Sequence, residues 1–364
     1  MTDTVPRQLV LTSMADVEPE RQLFLWTGRI PMGTATIFAG RGGEGKSTFS
    51  LWLASHVTRG TLDGEHQGAP GRVLLVGHED DLATIVVPRL LAANADMSLV
   101  SSVKVRTVVE GFELDEVPSL VDDLARIREA VQRTNARLII VDPLTSVMAG
   151  ANLDKTADVR KALNPFVALA GELGVAVVAI MHLRKGSGDT RDLMSGSHAF
   201  RDVARSVILF ATDEDTGQRV ATVDKSNYSE ARGDSFAFEL ESTRVPVAMN
   251  EWATVARVNY LGDTDTTVDD IVNRPDPTDV TDLGENIGAV VDCVNAHPGG
   301  IRTKEVADQL AISRNAASRD LGRAVKRELI RRVSYGLYYP RATASPSAPP
   351  TEPGAPDALG ALTS

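Results

Sequence analysis

The segment Gly40-Arg41-Gly42-Gly43-Glu44-Gly45-Lys46-Ser47 lies between an apolar run at 34–39 and an amphipathic stretch at 47–57. It fits the pattern G-x-x-x-x-G-K-[ST], in which glycines let backbone N–H groups turn toward phosphate oxygens. The flanking patterns predict a strand and a helix, and the helix N-terminus adds the positive end of its dipole. We expect Lys46 to reach the β- and γ-phosphates of ATP and the Ser47 hydroxyl to ligate Mg²⁺. The predicted nucleotide site covers residues 40–48 and includes Thr48.

Acidic residues follow two further apolar runs. Asp142 ends the run Leu138-Ile139-Ile140-Val141-Asp142, and beside a phosphate loop it is expected to hold Mg²⁺ through water. Glu79 follows the run at 73–76 and is placed to activate the attacking water as a general base. The alternative is that Glu79, Asp80 and Asp81 occupy the first turn of the next helix, where acids suit the dipole.

Short apolar runs alternate with helical stretches between residues 34 and 210. The runs are at 34–39, 73–76, 103–108, 138–141, 175–181 and 207–210, and the helical stretches are at 47–57, 82–93, 117–133, 157–173 and 198–204. This alternation predicts an α/β fold, with a mainly parallel sheet flanked by helices. Alternating segments at 219–223, 235–240 and 252–260 predict antiparallel strands added at the sheet edge.

Composition shifts divide the chain. We predict an irregular lead-in at 1–30, an ATPase core at 31–260 and an acidic linker at 261–284 that carries seven aspartates. A small domain at 285–341 and a disordered, proline-rich tail at 342–364 follow.

The composition also excludes several classes of protein. A single cysteine, Cys293, excludes a disulfide framework. No run approaches 18 apolar residues, and the first residues lack the basic start of a signal peptide. We therefore expect a cytoplasmic protein without a membrane partner.

Charge is distributed unevenly along the chain. The net charge is -11, but residues 301–341 hold ten basic and four acidic residues, a net charge of +6 that leaves -17 for the rest. A basic C-terminal module on an acidic body indicates a local contact with nucleic acid rather than a coat over the whole surface.

Residues from about 16 to 260 resemble the RecA-like ATPases of the plasmid replicative-helicase (RepA-type) group, relatives of the hexameric DnaB helicases. The resemblance rests on Trp26 with Gly28-Arg29-Ile30-Pro31, the loop at 40–47, Glu79, the run at 138–143 and Met181-His182. It implies that Glu79 is the catalytic glutamate. It also implies that His182 is a polar sensor of the γ-phosphate, although a surface histidine at a strand end would fit the same pattern.

The resemblance further implies residues that act between subunits. Arg205 lies where such ATPases carry an arginine finger, with Arg201 as a rival, and Lys225 with Asn227 matches a second basic position more weakly. The loop at 183–196, with Arg184 and Lys185, matches the loop that grips single-stranded DNA in the channel of ring motors. A solvated loop is the alternative.

Residues 285–341 are predicted to form three helices and a hairpin, and they resemble a winged helix-turn-helix. The segment at 314–327 would be the recognition helix and 334–336 the wing tip. Residues expected to meet DNA are Arg314, Asn315, Ser318 and Arg319 in the groove, and Arg331 and Arg332 at the phosphates. The alternative is a winged helix that binds protein.

These features together predict an ATP-driven DNA helicase that works as a homo-oligomer, expected to be a hexameric ring. Single-stranded DNA would occupy the channel, duplex DNA would bind the winged helix, and replication proteins would be its partners. The alternative is an ATP-switched loader or regulator in replication or recombination that binds DNA without unwinding it.

Overall fold

The computed structural model describes residues 9–77, 79–153, 155–183, 198–213, 216–273, 285–327, 329–334 and 336–341. The chain divides into two compact units, Met1–Asp279 and Val280–Ser364. No helix in these described ranges is both long enough and apolar enough to cross a membrane.

The first unit alternates strands and helices along most of its length. Its elements are β1 (Phe24–Trp26), β2 (Ile30–Pro31), β3 (Ala35–Gly40), α1 (Lys46–Arg59), β4 (Arg72–Val76), α2 (Val87–Ala92), β5 (Val100–Val103), β6 (Val105–Val109), β7 (Phe112–Glu116), α3 (Leu124–Thr134), β8 (Ala136–Val141), α4 (Thr156–Leu173), β9 (Ala176–His182), α5 (His198–Val203), β10 (Ser206–Thr212), β11 (Arg219–Ser226), β12 (Ser235–Pro246), β13 (Trp252–Thr264) and α6 (Val268–Val272). A π-helical turn, Leu82–Val86, leads into α2.

Nine strands form one sheet in the order β13-β12-β11-β10-β3-β9-β8-β4-β5. The strands from β10 to β5 run parallel, and β11, β12 and β13 continue the sheet as antiparallel strands. This confirms the predicted fold class, a RecA-like sheet flanked by helices. The antiparallel strands also lie at the predicted edge.

Both faces of the parallel sheet are buried. On β3, Ile37 and Ala39 point into a core shared with α3 and α4, while Phe38 points into a core shared with α1. This double burial explains why the central strands are apolar throughout instead of alternating with polar residues.

The predicted lead-in is wrong in its last part, because residues 24–31 belong to the core. β1 and β2 form a hairpin in which Leu25, Trp26 and Ile30 are buried. The Trp26 ring packs among Phe49, Trp52 and Phe236, and the Arg29 guanidinium lies 4.5 Å from its centre.

Two other boundaries also differ from the sequence prediction. The run at 103–108 is split: β5 ends at Val103 as the sheet edge, and β6 pairs with β7 in a separate hairpin. The hairpin ends at Glu116, and an irregular segment at 117–123 takes the place of the start of the helix predicted at 117–133, so that α3 begins at Leu124. Apolar periodicity did not separate these elements because the hairpin has apolar residues on exposed positions.

The predicted linker at 261–284 is wrong in its first part. β13 continues to Thr264, and α6 places Val268 in the core with its backbone N–H donating to the Thr222 hydroxyl at 2.8 Å. The aspartates here serve local structure, since Asp270 forms a capping box with Thr267. The remaining linker residues, 274–284, lie outside the described residues, as does the tail at 342–364.

The second unit has its own small core. Its elements are α7 (Glu285–Asn295), β14 (Ile301–Arg302), α8 (Thr303–Leu310), α9 (Arg314–Lys326), β15 (Ile330–Ser334) and β16 (Leu337–Pro340). The strands form an antiparallel sheet in the order β14-β16-β15. Val290, Leu321 and Tyr338 are among the residues buried between helices and sheet, and the Ser313 hydroxyl caps α9.

The buried position of Trp26 makes a stability prediction. Trp26→Ala should lower the free energy of unfolding by about 3–5 kcal/mol, because it removes a large aromatic side chain from a packed core. Trp252→Ala is the matched control: Trp252 is 57% exposed, and its loss should cost less than about 1 kcal/mol. Chemical denaturation of both variants measures the difference. Equal effects would contradict the assignment of residues 24–31 to the core.

Candidate functional site

The phosphate loop joins β3 to α1 at the carboxyl edge of the parallel sheet. A Cβ on Gly40 would lie 2.7 Å from the Phe210 carbonyl oxygen of the neighbouring strand, so only glycine fits there. Gly43 and Gly45 have φ values of +87° and +85°, which side-chain-bearing residues rarely adopt. The glycine pattern of the sequence thus reflects two constraints, close strand packing at Gly40 and a left-handed turn in the loop.

Lys46 lies at the start of α1 and closes the loop. Its Nζ donates hydrogen bonds to the carbonyl oxygens of Gly40 at 2.8 Å and Arg41 at 2.7 Å. Burial lowers the pKa of Lys46 to about 8, against the opposing charges of Glu44 and Asp142. The ammonium group is therefore held at the loop by two neutral oxygens.

Ser47 and Asp142 meet beside Lys46. Asp142 follows β8, where its N–H donates to the Val76 carbonyl of β4 at 3.1 Å, and its carboxylate is hydrogen-bonded to the Ser47 hydroxyl. Burial raises the pKa of Asp142 to about 6, and the negative charges of Asp80 and Glu79 act in the same direction. The fold thus brings together the two side chains at which the sequence predicts the metal site.

Glu79 and His182 reach the same edge from different strands. His182, at the end of β9, is in register with Gly40. Burial and the charge of Lys46 lower the pKa of His182, while Glu79 opposes that shift. Glu79 therefore lies near enough to act electrostatically on both His182 and Asp142, although it arrives from the loop after β4.

The acidic residues after β4 have separate tasks. Asp81 caps the following helical turn, since its Oδ1 accepts from the Thr84 N–H at 2.9 Å. Asp80 forms an ion pair with Arg89 at 2.7 Å. Glu79 precedes the cap, so the helix-start role that the sequence allowed for all three acids belongs to Asp81.

The residues present fit a nucleotide with Mg²⁺. A Cβ added at Gly42 or Gly43 would meet no other atom within 4 Å. The loop backbone therefore faces open space at these glycines and can approach phosphate closely. Lys46 and the backbone of residues 40–48 would hold the phosphates, and Ser47 with Asp142 would hold the metal. Bound Mg²⁺ would supply positive charge against the charge that develops on the phosphates.

A family profile described as an AAA domain matches residues 2–188, more than half of the chain. The chain belongs to the AAA-domain family. No curated protein sequence matches it at a significant level.

The AAA domain identifies the first unit as a P-loop ATPase, and such domains bind a nucleotide, typically with Mg²⁺. The matched range contains the phosphate loop, Glu79, Asp142 and His182, which the fold gathers at one edge. It ends before Arg205 and before the second unit.

Arg205 lies at the opposite edge of the sheet from the AAA-domain nucleotide site. Its N–H donates to the Ala35 carbonyl at the start of β3, and its carbonyl accepts from Asn227. Ala35 and Gly40 are the two ends of the six-residue strand β3, and the five steps between them span about 17 Å at the usual rise of a strand. Arg205 therefore does not join the site of its own chain.

The rival residues near Arg205 are engaged within the chain. Arg201 forms an ion pair with the buried carboxylate of Asp224. Lys225 donates to the carbonyl oxygens of Arg201 at 2.7 Å and Ala204 at 2.8 Å, which caps the end of α5. Among the described residues, none forms an ion pair with the guanidinium of Arg205.

The structure describes some of the predicted DNA-binding residues and not others. Arg184 and Lys185 lie outside the described residues, as does the side chain of Asn315. In the second unit Arg314, Arg319, Arg331 and Arg332 are exposed and Ser318 is half-buried. Arg319 donates to the buried Asp320 at 3.2 Å, and Arg331 lies 5.4 Å from the Tyr339 ring centre.

Two features of the site were not predicted from any pattern in the sequence. The Asp80–Arg89 pair joins residues nine apart across a π-helical turn, a spacing outside the usual helical pairs. The Arg219 side chain lies beside the phosphate loop, and its Cδ is 3.2 Å from the position that a Cβ on Gly45 would occupy. The buried Nε of Arg219 has no hydrogen-bond partner among the described residues. The first depends on an irregular helical turn, and the second depends on packing between segments that are distant in the sequence.

The lowered pKa of Lys46 predicts a pH effect on nucleotide binding. Near pH 8 about half of Lys46 is uncharged, so binding of a triphosphate should draw a proton onto it, and ATP affinity should fall as pH rises further. Calorimetry in two buffers of different ionisation enthalpy measures this uptake. Lys46→Arg is the control, because its charge is permanent. Equal proton uptake by both proteins would contradict the assignment to Lys46.

Proposed function

We propose that the protein is an ATP-driven oligomeric DNA motor, a helicase of the RepA type. The observation that carries the proposal is the position of Arg205. An arginine whose backbone lies about 17 Å from its own phosphate loop, and whose side chain has no ion-pair partner among the described residues, suits a site on a neighbouring copy.

The proposed assembly is head-to-tail. The amino edge of one sheet, with Arg205, would face the carboxyl edge of the next, with Lys46 and Glu79. A heterologous contact of this kind closes into a ring when the rotation allows it. Arg205 would then stabilise the negative charge that develops on the transferred phosphoryl group of its neighbour.

The proposed roles within one site follow from the carboxyl edge. Glu79 accepts a proton from the attacking water, and Lys46 holds the phosphates through charge. His182 lies at the end of β9, directly before the loop that contains Arg184 and Lys185. A change in the contact between His182 and the γ-phosphate would therefore be transmitted to that loop. We propose that this loop carries the single-stranded DNA contact.

The second unit is proposed to be a winged helix-turn-helix that binds duplex DNA. Its order of helix, strand, two helices and hairpin supports this assignment, with α9 as the recognition helix and the β15–β16 turn as the wing. Its positive charge supports a phosphate contact, since the rest of the chain is strongly acidic.

Two assays separate the motor from the loader or regulator. The motor should hydrolyse ATP faster with single-stranded DNA and should displace a labelled strand from a forked duplex. Lys46→Ala should abolish both activities. Nucleic-acid binding and slow hydrolysis without strand displacement would instead support the ATP-switched loader.

Mixing variants tests the role of Arg205 between subunits. Arg205→Ala should lose about 10³-fold in rate while it keeps its ATP affinity. A mixture of Arg205→Ala and Lys46→Ala should regain part of the activity, because an intact nucleotide site can meet an intact arginine. The matched control mixes Arg205→Ala with a Lys46→Ala/Arg205→Ala double variant, in which no chain carries Arg205, and no activity should return. No regain in the first mixture would contradict an arginine finger that acts between copies.

Duplex binding tests the second unit. Arg314→Ala should weaken binding by about 1–3 kcal/mol and relax any sequence preference, whereas Arg331→Ala should lower the salt slope by about 1. The measurement is duplex affinity of the full chain at several salt concentrations. Arg133→Ala, an exposed change on α3 of the first unit, is the control and should leave the affinity unchanged. Equal behaviour of all three variants would favour a winged helix that binds protein.

A further inference from the structure

The β6–β7 hairpin exposes an apolar surface. It pairs with no other described strand, and Val108, Val109, Phe112 and Leu114 on it are exposed, with Phe112 at 71%. A two-stranded hairpin without cover is marginally stable in water, and a contiguous apolar patch marks an interaction site. The hairpin therefore needs a partner surface.

The hairpin rises from the same edge of the sheet as the nucleotide site. β5 ends at Val103 directly before it, and after it Val117 packs beside Gly77, two residues before Glu79. Lys104, at its base, acts electrostatically on both Asp81 and Asp115. Whatever approaches the nucleotide from outside also approaches this hairpin.

A complementary cleft lies beside Arg205. It has a volume of about 370 Å³ between α4 and α5, and its lining includes Val167, Ala168 and Val203. Arg160 and Arg205 also line it, together with Asp202, which forms an ion pair with Arg160 at 2.8 Å. The cleft thus combines apolar surface with the arginine that is proposed to act on a neighbour.

We propose that the β6–β7 hairpin of one copy docks in the α4–α5 cleft of the next copy. This inference rests on the proposed assembly, because an Arg205 that reaches the neighbouring nucleotide brings its cleft to the edge from which the hairpin rises. The charges are complementary: the hairpin has four acids and one arginine, a net charge of -3, whereas the cleft has two arginines and one aspartate, a net charge of +1. Each copy offers one hairpin and one cleft, as a head-to-tail ring requires.

Cross-linking between separately made variants tests the contact. In a Cys293→Ser background, Phe112→Cys chains are mixed with Asn164→Cys chains, whose cysteine would lie in the cleft, and a short bismaleimide is added. A band of two chains should form only in the mixture. The control replaces Phe112→Cys with Met249→Cys, at the 91% exposed tip between β12 and β13. Equal cross-linking by the control, or by Met14→Cys in the exposed N-terminal segment, would overturn the inference.

A second variant tests the energetic role of the hairpin. Phe112→Asp should weaken assembly by about 30-fold, the effect of losing an apolar anchor, while the monomer keeps its ATP affinity and folded circular dichroism spectrum. Met249→Asp should assemble normally. Normal assembly of Phe112→Asp would overturn the docking contact alone. A wild-type protein that stays monomeric with ATP and single-stranded DNA would overturn both the contact and the proposed motor.

Discussion

The six residues of β3 fix the distance between the two ends of the ATPase unit. Gly40, at the carboxyl end, packs against the Phe210 backbone too closely for any Cβ, and this holds the phosphate loop in place. Ala35, at the amino end, holds the backbone of Arg205. Because this strand is rigid and spans about 17 Å from Ala35 to Gly40, one chain presents a nucleotide site at one edge and an arginine at the other.

This separation connects the other features of the first unit. The parallel neighbours of β3 bring Asp142, Glu79 and His182 to the edge that carries Lys46, whereas α5 and β11 hold Arg201 and Lys225 within the chain at the far edge. The exposed hairpin also rises from the nucleotide edge, and the cleft lies beside Arg205. In our proposal these are the two halves of one interface between copies.

Local sequence patterns predicted the parts of the structure that depend on local physics. The phosphate loop, the buried strands and Asp142 follow from glycine spacing and continuous apolar runs, so the fold class and the nucleotide edge were accessible. The place of Trp26 in the core and the continuation of β13 into the expected linker depend on contacts between distant segments, and the ion pair of Asp80 with Arg89 depends on an irregular helical turn. The high density of aspartates at residues 261–273 wrongly indicated a linker, because the aspartates there cap and flank regular structure.

The central claim is that one copy supplies Arg205 to the nucleotide site of the next. The most direct test measures the rate of ATP hydrolysis per chain as a function of protein concentration, with sedimentation to measure assembly in the same samples. The account predicts that dilute monomer binds ATP but hydrolyses it about 10³-fold more slowly than the assembled protein, with the rate rising as copies associate. A dilute monomer that hydrolyses ATP at the full assembled rate would contradict it.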